Sequence, residues 1–252
     1  MGKNFFKPRI GKDYEKGLRQ GKKVLVLGAS HYCLHNENND TGFICPVWNQ
    51  CTSLVLKDSS PYNVSCPYYK SSKNEIERGL LLEDSPSIEV DNYLDNYLEG
   101  DNYPSYSIFT NFMMDSFGFN NPNEFWDKVA FYNYVQHFLP SQTTPRQTST
   151  DIINFESLLN VIKDLQPDII IVWGVAVTDH FKHKYISKLV DKLEFRENAY
   201  FIDMNFEGKE YLFINPYHPC DARGYWTSGI EGFTNALNEI FKSYNYRIIC
   251  SG

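Results

Sequence analysis

Ile214-Asn215-Pro216-Tyr217-His218-Pro219 reads as a short apolar strand that runs into a histidine, with proline fixing the next peptide unit. A strand followed by His-Pro and a polar loop is how an α/β protein presents an imidazole at the carboxyl ends of its strands, where ligands bind. Three other segments end in the same way. Val24-Leu25-Val26-Leu27-Gly28 runs into Ala29-Ser30-His31-Tyr32, Val129-Ala130-Phe131-Tyr132 into Asn133, and Ile169-Ile170-Ile171-Val172-Trp173 into Gly174. Apolar runs of this length suit strands buried on both faces of a parallel sheet, and all four ends can meet at one cleft.

The intervening segments supply helices. Asp13–Gln20 reads as a short helix closed by Gly21, Glu75–Leu82 has a helical pattern, and Ser105–Phe117 carries an apolar helical face ending at Gly118. Asn123 is expected to cap a short helix through Asp127, ahead of a strand over 129–134. Residues 140–150 form a polar surface loop, after which Asp151 caps a helix whose Ile152, Phe155, Leu158, Leu159 and Ile162 follow the helical period. A strand over 168–173, a helical stretch over 176–193 and a hairpin come next. The hairpin joins Tyr200–Asp203 to Tyr211–Ile214 around Glu207-Gly208-Lys209, and a helix from about Ile230 to Tyr244 closes the chain. Strands alternating with helices predict one α/β domain over residues 1–252, a central parallel sheet with helices on both faces, interrupted by a long insertion at about 34–73.

Composition limits the partners. With 42% hydrophobic residues in 252, the chain can bury one substantial core. Its formal net charge of −7 does not favour tracking a phosphate backbone except through a local basic patch. One such run is Lys182, His183, Lys184, Lys188 and Lys192, read as a basic helical face that is either solvated or a DNA track. No stretch approaches the roughly 18 apolar residues that cross a bilayer, and Met1–Pro8 has no apolar signal core, so a cytoplasmic protein without membrane contact is expected.

The four strand ends, in their order, resemble the uracil-DNA glycosylase superfamily, from Val24 to the last helix with long unmatched insertions. Gly28-Ala29-Ser30-His31-Tyr32 is similar to its first motif, Gly-x-x-Pro-Tyr/Gly, which in the family holds the attacking water. Asn133 matches the asparagine that reads uracil's edge, with Leu139-Pro140 following as in several branches, and His218-Pro219 matches the second catalytic motif. The resemblance implies hydrolysis of the N-glycosidic bond of uracil or another damaged base in DNA, as in base-excision repair, with no required cofactor. It further implies Tyr32 as a pocket wall and Phe43 as the ring that stacks on the base. Beyond His218-Pro219 it implies a loop, here Cys220–Trp226, in which Arg223 meets a phosphate and Tyr225 or Trp226 replaces the extruded base.

Breaking that bond leaves an oxocarbenium-like sugar and an anionic base, so negative charge must be stabilised and water held near the sugar. His218 suits the first task as a donor to the base's carbonyl oxygen. The first motif departs from the family, whose branches hold water with Asp, Asn or Glu; here the positions are Ala29 and Ser30, with His31 in the proline's place. Either His31 acts as the base, Ser30 donates a weaker hydrogen bond, or the turn binds a phosphate or base through backbone N–H groups. Without a carboxylate in the turn, a non-catalytic protein of the same fold that binds a nucleobase, nucleotide or modified DNA is the alternative. Cys33, Cys45, Cys51 and Cys66 crowd the long insertion. Ordinary thiols are the expectation, against a structural zinc or, as in one branch of the family, a cubane iron–sulfur cluster.

Overall fold

The computed structural model describes residues 6–32, 85–97, 103–136, 138–139, 152–196, 201–215, 217–220 and 240. In chain order its regular elements begin with β1 (Arg9–Ile10), β2 (Val24–Gly28), β3 (His31–Tyr32), α1 (Ser85–Asn96), α2 (Pro104–Phe117), α3 (Pro122–Trp126), β4 (Val129–Asn133) and β5 (Phe138–Leu139). They continue with α4 (Ile152–Leu165), β6 (Ile169–Val172), α5 (Val175–Phe181), β7 (Lys192–Phe195), β8 (Phe201–Phe206) and β9 (Lys209–Ile214).

A seven-stranded sheet in the order β1-β4-β2-β6-β9-β8-β7 organises the molecule. Its centre, β4-β2-β6-β9, is parallel, while β1, β8 and β7 add antiparallel edges, so the sheet is mixed. Side chains alternate across a strand, and here both sets are apolar. Leu25, Leu27, Ala130, Tyr132, Ile170, Val172 and Phe213 pack toward Phe155, Leu158 and Ile162 of α4 and Val177 and Phe181 of α5. Val24, Val26, Val129, Phe131, Ile169, Ile171 and Ile214 pack toward Val90 and Tyr93 of α1, Phe109 and Met113 of α2, and Phe125 and Trp126 of α3. Helices therefore cover both faces, as the unbroken apolar runs require.

Several local expectations hold. Helix α2 ends at Gly118, which takes a left-handed φ of 73° and returns its N–H to Met114 O at 2.7 Å. Glu207 and Gly208, at φ of 50° and 76°, make the two-residue turn of the β8–β9 hairpin, the left-handed pair that matches strand twist.

Others need correction. The expected helix over Asp13–Gln20 is two 3-10 turns, Tyr14–Lys16 and Arg19–Gly21, because Gly17 (φ 64°) and Gln20 (φ 61°) leave the right-handed region and interrupt the α-helical ladder. Asn121, not Asn123, caps α3: its Oδ1 accepts the Glu124 N–H at 3.0 Å, and Pro122 occupies the first helical position. The helical stretch expected over 176–193 stops at Phe181. A 3-10 turn, Ile186–Lys188, follows, and Lys192–Phe195 becomes an edge strand on β8, since this basic segment lacks an apolar stripe broad enough to bury as a helix. Helix α1 was not anticipated from the pattern. The expected helix over Glu75–Leu82, the loop 140–150, the cap at Asp151 and all of 230–244 except the helical Ile240 lie outside the described residues. No helix among those described is long and apolar enough to cross a membrane.

Candidate functional site

The register of the parallel strands brings the Gly28–Tyr32 turn and Asn133 together. Gly28 ends β2 opposite Asn133 at the end of β4. The ladder then continues past both strands, with Tyr134 N–H donating to Gly28 O and Val135 N–H to Ala29 O, each at 3.0 Å. A side chain at Gly28 would collide with Asn133 Oδ1 and meet Phe131 Cζ at 3.1 Å. Glycine is required there for close approach, not for an unusual φ. His31, three residues on, lies in the two-residue β3, which pairs with β5.

His31 is buried to 1% exposure, and its Nδ1 lies 2.6 Å from Glu89 Oε1. Glu89, on α1, brings a carboxylate to the Gly28–Tyr32 turn, which has none in its own sequence. Its other oxygen accepts from the Tyr106 hydroxyl at 3.0 Å and from Asn133 Nδ2 at 3.3 Å. Asn133 Nδ2 also sits 3.2 Å from His31 Nδ1 and 3.1 Å from His31 Nε2, so its amide hydrogens face the Glu89–His31 pair while its carbonyl rests on Gly28. With Nδ1–H donated to the carboxylate, Nε2 is the basic nitrogen of the ring. The Phe6 ring lies 4.3 Å from the imidazole, and Phe6 N–H donates to Gln136 Oε1, tying the amino-terminal segment over His31.

Tyr106 is partly buried in an aromatic wall, its ring 5.0 Å from Trp173, 5.6 Å from Phe131 and 5.9 Å from Trp126. Burial, reinforced by the Glu89 carboxylate, pushes its phenol well above the usual range, so it stays a proton donor to Glu89. Trp126 satisfies its indole N–H on Thr110 Oγ1 at 2.9 Å, whereas the indole N–H of Trp173, at the end of β6, has no partner among the described residues. Ser30 Oγ is likewise buried without one.

His218 joins this edge through β6 and β9. A side chain at Gly174, which follows Trp173, would come within 3.5 Å of His218 Cβ. The His218 ring is exposed, and its Nδ1 accepts the Cys220 N–H at 3.2 Å, which leaves the ring proton of the neutral form on Nε2. Cys220 Sγ lies 3.2 Å from Ser105 Oγ at the start of α2.

Glu89 and Tyr106 thus join the residues singled out from the sequence; no local signal marked them, because both come from helices on one face of the sheet. Tyr32 is placed by its backbone pairing with Leu139. Phe43, Arg223, Tyr225, Trp226, Cys33, Cys45, Cys51 and Cys66 lie outside the described residues, among which no group of metal-ligating side chains gathers. A scan against family models matches none, and a search of curated proteins returns no match.

Proposed function

We propose that the protein hydrolyses an N-glycosidic bond, releasing uracil or another damaged base from DNA. The observation that carries this reading is the Glu89–His31 pair beside Asn133: a carboxylate that orients an imidazole, at the strand edge where the family-like motif has none of its own. Glu89 fixes the Nδ1 proton of His31, and Nε2 takes a proton from water as the water oxygen bonds to the sugar's anomeric carbon. The bond from that carbon to the base nitrogen breaks, its electron pair leaves with the base, and His218 Nε2–H donates to the base's carbonyl oxygen. Asn133, whose amide hydrogens already face the pair, aligns Glu89 with His31 rather than serving only the base edge. The buried indole N–H of Trp173 is a further donor for a ligand oxygen.

The test is single-turnover cleavage of oligonucleotides carrying uracil, hypoxanthine or xanthine. His218→Ala is expected to slow release roughly 100-fold or more, and Glu89→Gln roughly 100- to 10,000-fold, both with little change in affinity for abasic-site DNA. Asn133→Ala should lower kcat with KM nearly unchanged; a rise in KM alone would return it to base reading. A second reading, a nucleobase-binding protein without catalysis, is favoured by the net charge of −7. It gains if wild type binds a base or nucleotide and cleaves none of the three substrates.

A further inference from the structure

We infer that the surface around Tyr185 is a docking platform for single-stranded nucleic acid, meeting phosphates with lysines and a base with aromatic faces. In a chain of net charge −7, residues 182–188 hold three lysines and no carboxylate. Lys182 pairs with Asp179 at 2.9 Å, but among the described residues Lys184 and Lys188 have no carboxylate partner. Both are gathered instead around one exposed ring: the Lys184 and Lys188 ammonium groups lie 5.0 Å and 5.8 Å from the centre of Tyr185, which is 48% exposed. His183 stacks on the same tyrosine at 5.0 Å and 26° between planes. A second exposed aromatic, Phe195, lies on edge strand β7 with Lys182 at 5.7 Å from its ring.

An incoming phosphate can pair with either ammonium group, since neither has a carboxylate partner among the described residues. Cation–π attraction keeps each ammonium near the ring in the meantime. Lysines interleaved with exposed aromatics are what a single strand recognises, through phosphates on the charges and an unstacked base on a ring. A duplex offers no unstacked base, which is why the single strand is chosen. The platform is also near the candidate cleft. Helix α5 starts beside His218 at Gly174 and is only seven residues long, about 10 Å at 1.5 Å per residue, before the basic segment begins.

For what lies in the cleft this inference rests on the proposed function, but its test is binding alone. Anisotropy of a labelled oligothymidylate would be titrated with the full chain, with the Lys184→Glu/Lys188→Glu double variant, with Tyr185→Ala, and with Lys163→Glu as a control on another surface. The double variant is expected to bind at least tenfold more weakly, with the slope of log affinity against log salt smaller by about 1.4, two contacts at roughly 0.7 each. Tyr185→Ala should lose about tenfold or more through stacking, and Lys163→Glu should match wild type. Equal affinity of the double variant and wild type, equal loss in the control, or no binding by wild type overturns the platform. Normal binding without glycosylase activity removes the proposed function and leaves the platform standing; activity with binding indifferent to both platform variants does the reverse.

Discussion

Glu89 accepts from His31, Tyr106 and Asn133, and the precision of that arrangement depends on a residue with no side chain. Gly28→Ala would drive its methyl into Asn133 Oδ1, a flexible group beside Phe131. The expected result is a modest loss of stability, about 1–3 kcal/mol by chemical denaturation, with a disproportionate fall in activity as the amide turns away from the pair. His180 offers a pH test away from the site. Burial beside Tyr134, 5.8 Å from its ring, depresses His180 from 6.5 to about 4. The unfolded chain therefore binds this proton more readily than the fold does, and the neutral ring's contribution is complete above about pH 6.5 and lost as pH falls toward 4. The unfolding free energy should drop between about pH 7 and about pH 4.5 by on the order of 1–2 kcal/mol, and His180→Phe should remove that component. His31 and Asn133 were singled out in sequence because Asn133 ends an apolar run and His31 lies three residues past the end of another. Glu89 was not, since it reaches His31 from α1, 58 residues further along the chain.

At the scale of elements, clear punctuation made α2 and the hairpin readable. Gly118 closes α2 in open space, so Gly118→Ala meets no clash and should cost only the left-handed backbone strain, about 1 kcal/mol, measured by thermal unfolding. Helix α1 offers a weaker pattern. In Ser-Pro-Ser-Ile-Glu-Val-Asp-Asn-Tyr-Leu-Asp-Asn, the side chains packed inward include Val90, Tyr93 and Leu94, a sparse stripe in a polar segment. What organises it is tertiary: Tyr93 meets the rings of Tyr106 and Trp126 at 5.5 Å and 6.5 Å, a partnership invisible to periodicity. The basic segment after α5 misled for the opposite reason. Its charges suit a helical face, but pairing with β8 satisfies the backbone of Lys192–Phe195.

For the molecule as a whole, the two cores share the same strands, so neither can melt while the other stands. Phe155→Ala on one face and Phe109→Ala on the other should each cost about 3–5 kcal/mol, and in both variants tryptophan fluorescence and far-ultraviolet circular dichroism should trace one coincident transition. Separate transitions would show that the sheet does not couple its faces. The same sharing turns the β8–β9 hairpin into a gauge for the imidazole. Its tight turn sets β9 against β8, while Ile171 opposite Ile214 sets β9 against β6. Sliding β9 by one residue would carry His218 about 3.3 Å along the edge and at the same stroke exchange Phe213 and Ile214 between opposite cores. The reach of His218 is therefore graduated in whole-residue steps, and the strand admits no fine adjustment. A variant meant to move His218 by less than one residue would have to gain its room after Ile214, in the segment whose Tyr217 packs against one core.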